Sequence, residues 1–345
     1  MKTYHDIAGD GGSDVLGQVA ARQRAVADAL AGVRRILAVG SGKGGVGKST
    51  VTLALARAFR RRGLRIAILD ADLNGPSQAR MAGLESAPWI PADGQLALPR
   101  RPDGIGVVSL GSLLAAGRPL AFDTVSRGEQ QTWRATRELA LLLQLLSSVR
   151  WGELDLLLVD LPPGAERTVQ YAELLAPLSR GGPADDAGEL LAPLSGAGPA
   201  DEAGEAAATA ERLAFVMVTV PSDVSRGVVA RALAALAETP AALLGYVENM
   251  AGYLCRDCGE VRPLFPEPTV ALDAPCLGRI PFDPALAELC DRGWPEGSAV
   301  EEDSAAFRQI EDLAAAIQDR LKRPSSVSAG VGGGPNQEPL EEETR

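Results

Sequence analysis

Short, continuous apolar runs alternate along the chain with longer stretches whose apolar residues recur every three or four positions. The runs are ILAVG (36–40), IAILD (66–70), GVVSL (106–110), LLLVD (156–160), AFVMVTV (214–220) and LLGYVEN (243–249). An unbroken apolar run bounded by turn residues suits a strand covered on both faces. After the first run, Val51, Leu55, Ala58 and Phe59 fall at helical spacing, with Arg57, Arg60, Arg61 and Arg62 mostly on the opposite face and Gly63 at the end. Strand and helix in alternation predict an α/β fold with a doubly wound, mostly parallel sheet. Ligands of such sheets sit at the carboxyl ends of the strands.

Composition narrows the partners. Thirty-four basic residues against forty-five acidic ones leave a net charge of −11, which argues against a broad grip on nucleic acid or anionic lipid. The longest apolar candidate for a membrane span, LALLLQLL (139–146), is short and broken by Gln144. The expected compartment is therefore the cytoplasm, with no nucleic-acid or membrane partner. Residues 1–14 and the acidic tail 323–345 read as disordered flanks of a domain over 15–322. Inside it, ELLAPLSRGGPADDAG (173–188) is followed directly by ELLAPLSGAGPADEAG (189–204). This duplication, rich in Pro, Gly and acidic residues, reads as a low-complexity surface insertion at about 176–211.

The chemistry begins between the first strand and the first helix, where GSGKGGVGKST (40–50) fits G-x-x-x-x-G-K-[ST] at Gly42 to Ser49. Glycines let successive backbone N–H groups turn toward phosphate oxygens, and the following helix N-terminus adds positive potential. The expected cradle is Gly42, Lys43, Gly44, Gly45, Val46, Gly47, Lys48, Ser49 and Thr50. Lys48 is expected at the β- and γ-phosphates of ATP, and the Ser49 hydroxyl on Mg²⁺. Two strand ends add carboxylates: Asp70 and Asp72 in ILDADLNGPS, and Asp160 in LLLVDLPPG. An aspartate in the place of Asp160 can hold Mg²⁺ through water, and the loop behind it can sense the γ-phosphate. Asp72, ahead of Asp70, is the candidate for orienting the attacking water.

All four cysteines, Cys255, Cys258, Cys276 and Cys290, lie in the last third of the chain. Cys255 and Cys258 form a C-x-x-C pair, close enough to share one metal. A structural zinc site or an iron–sulfur cluster held by one chain normally takes four ligands, and no second C-x-x-C exists. Two ligands per chain point to a site shared by two chains, where a dimer supplies four thiolates for a [4Fe–4S] cluster. Shared zinc and a thioredoxin-like redox pair are the alternatives. Cys276 and Cys290 read as buried small hydrophobes, and Trp133, Trp151 and Trp294 as packing residues. The amphipathic stretch 305–321 carries both charge signs on its polar face, which favours a docked core helix over a membrane anchor.

KGGVGKS, with its second lysine, resembles the deviant phosphate loop of the MinD/ParA group of dimerising ATPases (the SIMIBI, MinD-like P-loop NTPases). The resemblance implies a homodimer in which Lys43 reaches across to the partner's nucleotide, and it makes Asp72 the switch residue of DAD. Together with LDADLNGPS, WGELDLLLVDLPPG, VENMAGYLCRDCG and GRIPFDPALAELCDRGWP, it resembles the Mrp/ApbC family of iron–sulfur cluster carrier ATPases over about residues 34–322. That resemblance implies slow ATP hydrolysis coupled to binding a bridging cluster and delivering it to apoproteins. It also places Asn249, Pro281 and Asp283 beside the adenine. A positioning ATPase of the MinD/ParA kind, switching a membrane, nucleoid or protein contact, is the competing expectation. The chain departs from the Mrp/ApbC pattern in having Ala165, Glu166 and Arg167 where the family usually continues Thr-Gly-Asp, and Ala54 where asparagine is common. An amphipathic stretch at 15–31 stands where the family often has a small N-terminal domain.

Overall fold

The computed structural model describes residues 15–112, 130–179, 212–239, 241–255, 258, 260–295 and 304–322. The flanks 1–14 and 323–345, most of the duplicated insertion and the side chain of Trp133 lie outside the described residues. In chain order the first half contains α1 (Val15–Ala29), β1 (Ile36–Ser41), α2 (Lys48–Arg61), β2 (Ile66–Asp70), α3 (Gln78–Met81), β3 (Pro91–Ala92), β4 (Gln95–Ala97) and β5 (Gly106–Val108). It continues with α4 (Gln130–Ser148), β6 (Val149–Arg150), β7 (Leu156–Asp160) and α5 (Ala165–Ser179). The second half adds β8 (Leu213–Thr219), α6 (Asp223–Ala237), β9 (Ala242–Leu254), β10 (Val261–Arg262), β11 (Cys276–Phe282), α7 (Pro284–Asp291) and α8 (Ala305–Lys322).

An eight-stranded sheet runs in the order β10-β9-β8-β1-β7-β2-β5, with β11 also on β9. Every pairing is parallel except β10 with β9. The strands β1, β2, β7 and β8 are buried residue by residue along their lengths, as the unbroken apolar runs predict. Two hydrophobic cores result, one on each face of the sheet. One gathers α2, α7 and α8, and the other α1, α4, α5 and α6. The parallel order puts the carboxyl ends of β1, β2, β7, β8 and β9 along one rim, where the phosphate loop lies.

Several expectations need correction. Cys276 is exposed rather than buried, because it begins β11, whose only pairing is with β9. Cys290 is buried in α7. Arg57, read as part of a polar helix face, is buried. Its guanidinium lies 5.1 Å from the Trp294 ring centroid and pairs with Asp103 at 2.8 Å, so a cation–π stack and an ion pair replace water. Helix α5 runs on to Ser179, beyond residue 176 where the insertion was placed. Trp151 and Trp294 are fully buried, and α8 turns Phe307, Ile310, Leu313, Ala314 and Ile317 into the core.

Candidate nucleotide and thiol site

The phosphate loop leaves the end of β1 and enters α2 through Gly47. Gly45 and Gly47 both have φ +79, the left-handed region where a side chain is strained, and the space a Cβ would need at Gly47 is taken by Asn249. The loop is stitched from within and from below. Ser41 Oγ donates to the Lys43 carbonyl at 3.1 Å, and Asn249 Nδ2 donates to the Val46 carbonyl at 2.9 Å. Lys43 makes no ion pair among the described residues, and Gly44 and Gly45 are exposed. The second lysine therefore stands at the open side of the loop.

Lys48 and Asp160 form the centre of the site. The Lys48 ammonium pairs with the Asp160 carboxylate and lies 3.4 Å from Ser49 Oγ. Asp160 also accepts from Thr52 Oγ1 at 3.3 Å and from Gln78 Nε2 at 2.8 Å. These donors satisfy the oxygens of a carboxylate that is buried away from water. Gln78 is a site residue that the sequence reading missed. It follows the DAD loop, and its amide bridges Asp160 and the Ser49 carbonyl, the latter at 3.0 Å. Both of those neighbours are acceptors, which fixes the orientation of the amide; its Oε1 is buried without a protein partner among the described residues. An alternating pattern carries no signal for such a residue, because glutamine at the start of a short helix looks like an ordinary cap.

The two carboxylates of DAD separate by role. Asp70 pairs in register with Asp160 across β2 and β7 and is fully buried. Its oxygens accept from Asp72 N at 3.2 Å, Ser77 N at 2.9 Å, Gln78 N at 3.0 Å and Ser109 Oγ at 2.9 Å. Burial, and secondly the neighbouring Asp160, pushes its carboxyl up to about 7. Asp70 thus holds the loop together. Asp72 is half-buried, takes Gly75 N at 3.2 Å, and is raised chiefly by burial and opposed by Lys48. Of the pair, Asp72 is the one left open toward the phosphate loop.

The remaining expected residues divide. Asn249 pairs in register with Ile280, the residue before Pro281, whereas Phe282, the residue before Asp283, pairs with Tyr253 further along β9. The Asp283 carboxylate caps α7, accepting Ala285 N at 2.9 Å, and also accepts Ser304 Oγ at 2.7 Å. Thr50 hydrogen-bonds the Cys290 thiol, whose burial raises it to about 12. Cys255 and Cys258 sit at the turn between β9 and β10, in a hairpin that projects beyond the Asn249 end of β9. Cys255 N donates to the Glu260 carbonyl at 2.9 Å, and Arg262 approaches the exposed Cys258 Sγ at 3.7 Å. No group of three or more His, Cys, Asp or Glu side chains that could hold a metal is assembled among the described residues. This pair can offer two thiolates from one chain, and Ser49 and Asp160 offer oxygen ligands suited to Mg²⁺.

A parallel sheet with a glycine loop at β1, a lysine at the head of α2 and an aspartate at the end of β7 defines a P-loop NTPase of the MinD/ParA-like fold. The model of the ParA-group family described as NUBPL iron-transfer P-loop NTPase matches residues 32–172 and 197–318, and the chain belongs to that family. Its relatives include the cytosolic Fe-S cluster assembly factor CFD1 of Chaetomium globosum, 35% identical over 302 residues, 81% of this chain and 86% of the relative. Another is the cytosolic Fe-S cluster assembly factor NUBP2 of Homo sapiens, 34% identical over 305 residues, 84% of this chain and 94% of the relative. Among solved structures, a nucleotide-binding protein of Archaeoglobus fulgidus in complex with ADP superposes with a TM-score of 0.56 at 29% identity, over 83% of this chain and 96% of that one. MinD of Pyrococcus horikoshii, complexed with Mg-ADP, has a TM-score of 0.50 at 18% identity, over 85% of this chain and 99% of that one; this is a likeness of fold. Among the described residues no helix is long and apolar enough to cross a membrane.

Proposed function

We propose that the chain is a cytoplasmic homodimeric ATPase that carries a [4Fe–4S] cluster as cargo between Cys255 and Cys258 of two copies and hands it to apoproteins. The observation that carries this reading is the path of β9. The same strand that presents Asn249 to the phosphate loop ends in the hairpin bearing both thiols. A shift of the loop on ATP binding is therefore delivered along one paired strand to the cargo end. The relatives' names as cluster assembly factors support the same reading.

In this function Gly42 to Thr50 cradle the phosphates, and Lys48 exchanges Asp160 for phosphate oxygens. Ser49 and Asp160 would hold Mg²⁺, which when bound would supply charge neutralisation at the phosphates. Asp72 orients the attacking water, and Lys43 meets charge developing on the partner's γ-phosphate. Asn249, Pro281 and Asp283 border the adenine. Residues 15–322 act as one ATPase domain; the family match skips 173–196, which supports the duplicated segment as an insertion.

Anaerobic reconstitution with iron and sulfide tests the reading. Broad visible absorption with four irons per dimer is expected, abolished by Cys255→Ser or Cys258→Ser while ATP binding persists. A colourless protein that pellets with lipid or DNA in the presence of ATP would instead make it a positioning ATPase.

A further inference from the structure

The segment that departs from the Mrp/ApbC pattern, Ala165-Glu166-Arg167, has found its own partner. Arg167 forms an ion pair with Glu138 of α4, whose side chain is only 5% exposed. The other oxygen of that carboxylate accepts Asn74 Nδ2 at 2.8 Å. Arg167 lies in the first turn of α5, which follows β7 and Asp160, and Asn74 in the loop that follows β2 and carries Asp72. One buried anion thus holds both segments that flank the phosphate site, one oxygen to each.

A second tie joins the same two segments independently. Tyr171, one turn further along α5, donates its hydroxyl to the Ala71 carbonyl at 3.1 Å. The first turns of α5 also pack on β1: Thr168 occupies the space a Cβ would need at Gly40, the residue before the last of that strand. Displacement of Arg167 by an arriving phosphate would leave Glu138 buried with Asn74 as its partner. A buried carboxylate deprived of its cation is costly, so the loop holding Asn74 must follow.

We propose that Glu138 is a positioning residue that locks the Asp72 loop to the first turn of α5, so that both sides of the nucleotide site rearrange as one unit. This deepens the reading of the chain as an ATP-driven switch and rests on it. The lock itself is built into the nucleotide-free protein, so it can be measured without any nucleotide.

Amide hydrogen exchange on the full-length protein, free of nucleotide, makes the test. Arg167→Ala is expected to speed exchange at residues 72–77 about tenfold, although the substitution lies in the other segment, at the start of α5. Asn74→Ala, at an exposed position that tolerates change, is expected to speed exchange at Gly164 to Thr168 in return. The double variant Arg167→Ala/Glu138→Gln should exchange no faster than Glu138→Gln alone. Acceleration confined to the mutated segment, or effects that multiply in the double variant, would overturn the lock. Failure of the parent to bind ATP would sink the switch reading and leave the exchange result standing. A lock observed in the free protein, together with ATP-induced protection of both segments in the parent and of only one in Glu138→Gln, would carry both.

Discussion

Lys48, at the first position of α2, is ion-paired with Asp160 at the last position of β7, and their side chains are 6% and 0% exposed. The two charges neutralise each other where a nucleotide's phosphates and metal would otherwise do so. Binding then becomes an exchange of partners rather than the capture of a bare cation. Lys48→Ala is expected to lower ATP turnover by at least about 100-fold. It also strands Asp160 in a buried site at a cost of about 3 kcal/mol. Steady-state hydrolysis and thermal unfolding check both; unaltered turnover would refute the assignment of the loop.

Lys43 serves a different site from Lys48 if it acts across the dimer. Lys43→Ala is expected to bind ATP like the parent and to hydrolyse it about 100-fold more slowly. Mixing it with Lys48→Ala then restores activity, because the heterodimer has one site with an intact Lys48 facing an intact Lys43. Random exchange should recover about a quarter of parental turnover. Two inactive variants that stay inactive when mixed would place Lys43 in its own chain's site.

The Asn249 amide is the hinge pin between β9 and the phosphate loop. Asn249→Ala removes the donor to Val46 and is expected to weaken nucleotide binding about tenfold. Gly47→Ala is expected to be worse, since the residue has φ +79 and Asn249 occupies the space of the new methyl group. Calorimetric titration of ADP into each variant ranks them.

Asp70 makes stability depend on pH with a defined sign. Its carboxyl is raised from 3.8 to about 7 in the folded protein. Folding therefore takes up a proton between those values, and this contribution to stability falls as pH rises from 4 to 7, levelling off above. The nucleotide-free parent should lose about 5 °C of its unfolding midpoint between pH 5 and pH 8 through this group. Asp70→Asn, whatever its absolute midpoint, should flatten that part of the curve. An identical slope in both proteins would assign the pH dependence to other groups.

The central strands and the phosphate loop were legible because each is a local pattern: an apolar run of strand length, or glycines at fixed spacing ahead of a lysine. The misreadings arose where a neighbour distant in sequence decides the outcome. Arg57 sits on the polar side of its own helix by periodicity, yet Trp294 and Asp103 bury it. Cys276 lies in apolar surroundings, yet it is exposed at the first position of β11. Gln78 and Glu138 gain their roles only when β2, β7 and α4 come together, which no spacing announces. The C-x-x-C pair was visible as a motif, and its placement at the end of the strand that also carries Asn249 emerged from the fold.

Beyond Glu248, β9 has left β8 behind; Asn249 still reaches the Val46 carbonyl of the phosphate loop, and the strand then runs on beside β11 and the short β10. The tip that bears Cys255 and Cys258 is thus outside the load-carrying framework. Substitutions there leave the interior packing untouched, so the tip can be altered without disturbing the strands that carry the phosphate loop.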